Sequence, residues 1–332
     1  MSQRPAPTPP LTPDEVAAAL PVGEETNLDI DTAGQRTFPP PVSGTLLPVP
    51  DSVLSGDETP EIAQRLSGYV PEGLPLRPMA PRMDPALIVP HRVQSLPMSP
   101  DARIATTVFA PDDRRIFSDT SFPWRAMGRV DTAGGYASGV LVGPRHILTA
   151  SHAVIWNADG TSGWLRFTPS YFDGNEPFGH ADAIHWYAYR KVTPPDIDPD
   201  EARFDYAVLV LNARLGDTVG FIGSRGYDDS WDGSPYWTHV GYPGDLAGGK
   251  RPCYQASIAL DGSDTEPDTN EEITHKGDVW PGQSGGPFFA WWSGEPWPRA
   301  VAVQSWQNTS ANGASGGSYI PNLINLARSE FP

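Results

Sequence analysis

Cysteine is nearly absent from this 332-residue chain, Cys253 being the single one. One thiol closes no internal disulfide, so a stapled scaffold is excluded, and so is a cysteine-rich zinc site. Positive charge is scarce too: 23 Lys and Arg stand against 40 Asp and Glu, a formal net charge of -17. A surface of that sign repels phosphate, which argues against nucleic acid and anionic membranes as partners. No apolar run reaches the roughly 18 residues that a membrane-spanning helix needs. The N-terminus lacks the basic start and apolar stretch of a secretory signal, because prolines from Pro5 to Pro13 interrupt it and its best apolar run is Val16 to Leu20. Tryptophan is missing from the first 120 residues although the chain has 11, whereas 20 of the 38 prolines fall in the first 100.

That split divides the chain. Aromatic side chains carry much of a core's buried area, so residues 1–107 read as a Pro-rich, largely unstructured segment with little core of its own. It is either a disordered tail or a pro-segment removed from the domain after it. Pro39-Pro40-Pro41 favours polyproline II, and apolar patches such as Ala86 to Val89 could only dock onto something else. Two short helices are expected, one with Thr12 as N-cap, Pro13 at the first position and Glu15 at the third, the other at Thr59-Pro60-Glu61. Residues 108–332 form the second region, where short β-type runs alternate with Gly, Pro, Asn and Asp. Strands are expected over Ser138–Val142, His146–Thr149, Trp164–Thr168, His185–Tyr189, Tyr206–Leu211, Trp237–Tyr242, Cys253–Leu260, Pro287–Trp292 and Ala300–Trp306. A single helix of consequence is expected, Leu323 to Arg328, with Asn322 as its N-cap. The fold class is therefore all-β with a short C-terminal helix.

Three segments carry chemistry, in the order His, Asp, Ser. The hairpin pattern from Ser138 to Thr149 ends in Ala-Ser-His152, which would hold an imidazole at a strand end, facing a cleft. Arg203-Phe-Asp205 opens the apolar run to Leu211, and an acid at the mouth of a buried strand is costly unless a partner such as an imidazole N–H satisfies it. Trp280-Pro-Gly-Gln-Ser284-Gly-Gly sets glycines on both sides of one serine, letting the N–H groups of Gly282 and Ser284 point at one spot, an oxyanion hole. A serine hydroxyl is a weak nucleophile at neutral pH, and a paired histidine takes its proton as the bond forms.

On these residues the chain resembles a chymotrypsin-fold serine endopeptidase, of the staphylococcal V8 and glutamyl endopeptidase branch, over about residues 108 to 328. Two further segments match, Gly241-Tyr-Pro-Gly-Asp245 and Val108-Phe-Ala-Pro-Asp-Asp-Arg114. The resemblance implies two six-stranded antiparallel barrels, peptide-bond hydrolysis through an acyl-enzyme, and Ser284 as nucleophile, His152 as base and Asp205 as its orienter. It places Ser305 near the buried Asp and Trp306 where a strand pairs with the substrate. It implies an enzyme that takes a polypeptide substrate and is secreted; no cofactor is expected, and the chain is expected to be a monomer. Removal of roughly the first 107 residues would follow, leaving Val108 at the start.

The sequence departs from that pattern in places. Gln304 or Ser305, and Val279, stand where glutamate-specific members carry the residues that bind the substrate carboxylate, which puts glutamate preference in doubt. Asp278 stands where trypsin-type enzymes bind Lys or Arg, so it is either a specificity acid or a loop acid that binds nothing. Gln283 replaces the Asp that receives a new N-terminal ammonium in the digestive relatives. His146, His180, His185, His239 and His275 show no metal-ligand spacing, and the acidic runs fit no twelve-residue calcium loop. Two other readings use the same residues: a silent binding protein that keeps the cleft, or an esterase.

Overall fold

The computed structural model describes residues 7–20, 44–50, 65–83 and 108–332, apart from 160, 195–196, 263–269 and 309. The expected helix at Thr59 and the Pro39 and Ala86 segments lie outside the described residues.

The first sheet contains β1 (Thr45–Leu46), β4 (Met127–Thr132), β5 (Gly135–Gly143), β6 (His146–Thr149), β7 (Leu165–Pro169), β8 (Ala181–Tyr187) and β9 (Ala207–Leu211), in the order β1-β8-β7-β4-β5-β6-β9. An added pairing of β8 with β9 closes six of these into a barrel and leaves β1 on the outside. Closure requires strands apolar inside, and Val130, Val140, Leu148, Trp186 and Val208 to Leu211 are completely buried.

The second sheet contains β2 (Arg65–Leu66), β3 (Arg115–Ile116), β10 (Gly223–Arg225), β11 (Trp237–Gly241), β12 (Cys253–Ile258), β13 (Leu260–Asp261), β14 (Glu271–His275), β15 (Pro287–Ala290), β16 (Arg299–Gln307) and β17 (Asn312–Gly316). Its main path runs β13-β14-β17-β16-β15-β11-β12-β3, with β10 bridging β16 and β2. The expected pair of barrels is thus one closed barrel and one sheet that curls as a half-barrel. All nine expected strands are present, most within a few residues of their bounds. Met127–Thr132, Glu271–His275 and Asn312–Gly316 are strands that the pattern did not suggest.

The C-terminal helix runs Tyr319–Glu330, starting earlier than expected, and Ser318 rather than Asn322 precedes it, with no side-chain cap. Pro321 fits because the N–H groups of a first turn have no helical acceptor. Ile320, Leu323, Ile324 and Ala327 recur at helical spacing and are buried against the first barrel and β10.

The described parts of residues 1–107 are docked on the β-domain. Helix Pro13–Ala19 has the expected capping box, Thr12 with Glu15, and buries Val16. Leu11 N–H donates to Trp291 O, and the Trp292 indole donates to Thr8 O. β1 lies parallel to β8, β2 pairs with β10, and Arg77 and Phe122 are joined by a backbone hydrogen bond. The contacts of Leu11 and Thr8 fall just after β15, at its end away from Ser284.

Candidate active site

Local sequence places the histidine. β6 ends at Thr149, and Ser151–Ala153 form one 3-10 turn. The Ser151 hydroxyl donates to Arg190 O at 2.6 Å and receives the Val192 N–H at 3.2 Å, so the turn is fixed from a second loop. His152 is then held twice by one carboxylate: its N–H donates to Asp205 Oδ1 at 2.8 Å and its Nδ1 lies 2.6 Å from Oδ2. A carboxylate only accepts, so Nδ1 carries the proton and Nε2 is left as the basic atom. Burial disfavours the imidazolium, but the Asp205 charge and hydrogen bond outweigh it and raise the His152 pKa above its ordinary 6.5.

Asp205 is completely buried, one residue before the Tyr206 that leads into β9. The second sheet completes its surroundings. Ser305 Oγ, on β16, donates to Oδ2 at 2.6 Å, and the Asp205 N–H donates to Ser315 Oγ, on β17, at 3.0 Å. The expected neighbour of the buried acid, Ser305, is therefore a hydrogen-bond donor to it.

Ser284 is half-buried in the loop before β15. Gly282 and Gly285 on either side have φ of 104° and 77°, a region that disfavours any side chain. A Cβ on Gly285 would lie 2.2 Å from Thr149 Oγ1 and 2.6 Å from Ala150 N, so the loop rests on the residues just before His152. Ser138 clamps it from β5: its N–H donates to Ser284 O at 2.8 Å and its Oγ to Gly282 O at 2.7 Å. On the other side Gly285 N–H donates to Gln304 O. Among the described residues the N–H groups of Gly282 and Ser284 have no internal acceptor. Gln283, between them, is buried, and its Oε1 accepts from Arg114 Nη1 at 2.9 Å and from Trp280 N at 3.0 Å.

The expected specificity residues are placed differently. Asp278 is 2% exposed, and its carboxylate accepts the N–H groups of Phe109 at 2.7 Å and Asp113 at 2.8 Å, with the Gln255 amide at 3.3 Å. Its burial and internal partners do not suit an acid waiting for a basic substrate. Val279 is buried. Trp306 is half-buried, its ring lying where a Gly313 side chain would stand. Gln304 spends its carboxamide internally: Nε2 donates to Trp306 O at 2.8 Å and Gly313 O at 3.1 Å, and Oε1 pairs with His275 Nε2 at 3.0 Å. His275 and His239 both pack on Phe288 and are buried, and this pairing had no sequence signal because β14 was not expected. Among the described residues no group of three or more His, Cys, Asp or Glu is arranged to hold a metal ion.

The profile of the trypsin-like peptidase domain matches residues 137–295. A glutamyl endopeptidase of Bacillus licheniformis is 27% identical over 217 residues, covering 64% of this chain and 63% of that protein. An extracellular metalloprotease of Bacillus subtilis is 28% identical over 217 residues, covering 62% of this chain and 64% of that one. The chain therefore spans less than two thirds of these relatives' own length. A solved Glu endopeptidase, in complex with MPD, superposes with a TM-score of 0.55 and 23% identity, covering 67% of this chain and all (100%) of that one, which establishes the shared fold.

Proposed function

We infer that the trypsin-like peptidase domain of this chain is a serine endopeptidase that cleaves polypeptides through an acyl-enzyme. The observation that carries this reading is the buried Asp205 holding His152 by two hydrogen bonds, beside the glycine-flanked Ser284 loop that rests on Thr149 and Ala150. His152 Nε2 takes the Ser284 proton as the hydroxyl attacks, and returns it to the leaving amine. Asp205 keeps the proton on Nδ1 and stabilises the imidazolium. The N–H groups of Gly282 and Ser284 receive the developing oxyanion, each contributing about 3 kcal/mol to the transition state. β15 accompanies β16 only as far as Val303, and the substrate backbone extends the sheet along Ser305 and Trp306.

The chain is proposed to act outside the cell, a reading supported by the relative named as extracellular. Among the described residues no helix is long and apolar enough to cross a membrane. Asp278 and Gln304 are both engaged internally, so neither supports a basic or an acidic preference. Digestion of a mixed peptide library by the 332-residue chain, beside its Ser284→Ala variant, tests the reading, with cut sites identified by mass spectrometry. Cleavage lost in Ser284→Ala is expected, and the residue before each cut gives the preference. No Ser284-dependent cleavage would turn the assignment to a binding protein, and ester turnover alone to an esterase.

A further inference from the structure

We propose that Arg114 is a positioning residue for the nucleophile loop: a cation internal to the chain, it grips the Gln283 carboxamide and fixes the Gly282–Ser284 backbone without any N-terminal cleavage. The inference rests on the protease reading above and adds to it how the loop is held.

The guanidinium is 1% exposed and all of its N–H groups are used. Nε donates to Asp112 Oδ1 at 3.1 Å, Nη2 to Asp112 Oδ2 at 2.8 Å and to Asp245 Oδ2 at 2.5 Å, and Nη1 to Asp245 Oδ1 at 3.0 Å and Gln283 Oε1 at 2.9 Å. Two carboxylates fix the fork, and the remaining donor points at the loop. The backbone carrying Arg114 is itself anchored: Arg115 pairs with Tyr254 in the second sheet, and Phe109 and Asp113 donate to Asp278. Asp278, six residues before Ser284, thus ties down the strap that delivers Arg114.

Gln283 lies between the two N–H groups proposed to meet the oxyanion, with a positive-φ glycine on each side of the Gln283-Ser284 pair. Those glycines are natural pivots, so something must fix the peptide planes. Ser138 Oγ holds the Gly282 carbonyl from the first barrel, and Arg114 with the Trp280 N–H holds the Gln283 side chain from the other side. A carboxamide suits this place because Oε1 accepts while Nε2 donates to Asp278 O at 3.4 Å, and a third carboxylate would add charge beside Asp112 and Asp245.

Gln283→Ala in the full chain tests the grip while leaving Arg114 paired with both carboxylates. A fall in kcat of about 100-fold, the scale of one lost oxyanion donor, is expected with KM changed less than about threefold. Affinity for a peptide aldehyde, which forms an oxyanion when bound, should fall in parallel. Arg114→Gly should lose activity similarly and recover part of it with added guanidinium ion, which a general loss of packing would not allow. Burst titration of chain shown by mass to retain Met1 should give close to one acyl-enzyme per molecule. Unchanged kcat in Gln283→Ala, or a burst that appears only after N-terminal cleavage, would overturn the proposal while leaving the protease reading intact. Absence of any Ser284-dependent burst, cleaved or not, would sink both.

Discussion

The two halves of the molecule both rest on buried apolar clusters but differ in how much polar chemistry they bury with them. Inside the first barrel the packing is mostly aliphatic and aromatic, with Val140, Leu141, Leu148, Leu209 and Trp186 all at 0% exposure. The second half has an apolar cluster of its own, with Trp237, Ile273, Phe288 and Val301, and adds to it a larger buried polar set: His239, Gln255, Glu271, His275, Gln283, Gln304 and Asn312. The first half brings His152 and Asp205 to the cleft and, through Ser138, also clamps the Ser284 loop, while the second carries that loop and holds Gln283 and Asp205 by directional hydrogen bonds. Apolar packing tolerates small changes of shape, whereas a buried polar network loses a desolvated group whenever one partner goes. Damage and acid should therefore act first on the nucleophile's side.

The largest expected effect bridges the halves. Asp205→Asn keeps the shape but replaces an acceptor-only group, so the His152 tautomer is no longer fixed; kcat should fall about 10⁴-fold with KM little changed, measured on a peptide substrate. Acid comes next. Burial holds His146 and His239 neutral down to a pKa of about 4, and burial together with the charge of His239 holds His275 down to about 3. The unfolded chain takes up protons on these groups from about pH 6.5 downward while the fold does not, so stability is lost as pH falls through that window, by at most about 1.4 kcal/mol per pH unit for each. Two of the three lie in the second sheet. Hydrogen exchange on acidification should expose Trp237–Gly241 and Glu271–His275 before β9; simultaneous loss in both halves would break the comparison. Gly285→Ala, at a φ of 77° with Thr149 and Ala150 in the way, should cost about 3 kcal/mol in urea unfolding.

How much of this was legible can be argued from single residues. Ser138, His152, Asp205 and Ser284 sit in local patterns, a hairpin, a strand mouth and a glycine-rich turn, and the strands beside them carry continuous apolar runs. The missed strands hide that signal. Met127–Thr132 alternates correctly, but its outward Arg129 and Asp131 pair with each other and make the run look polar. Asn312–Gly316 has almost no side chain because the Trp306 ring and Ile273 fill the space over Gly313 and Gly316. Glu271–His275 turns polar residues inward. The Arg114 network was illegible for another reason: its members are separated by 131 and 169 residues, and no local pattern tells a buried arginine from a solvated one. Asp278 was open to two readings for the same cause, since its partners come from Phe109 and Asp113.

The smallest expected effects concern the side-chain contact by which the second sheet reaches the Asp205 carboxylate. Ser305→Ala removes a hydroxyl from Asp205 Oδ2, and a hydrogen bond to a charged group is worth about 1.5 kcal/mol, so kcat should fall roughly tenfold. The pH profile separates this from simple loosening. His152 must be neutral to act as base, so the acid limb of kcat/KM should have its midpoint above 6.5, because the folded pKa is raised. The same shift means the His152–Asp205 pair adds stability that is complete below 6.5 and is lost as pH rises through the folded value, the opposite sense to the three neutral histidines. Without the Ser305 hydroxyl the Asp205 charge is less neutralised and attracts the imidazolium more strongly. The acid limb of Ser305→Ala should then move upward by a few tenths of a unit, whereas a loosened pair would move it down toward the ordinary histidine value.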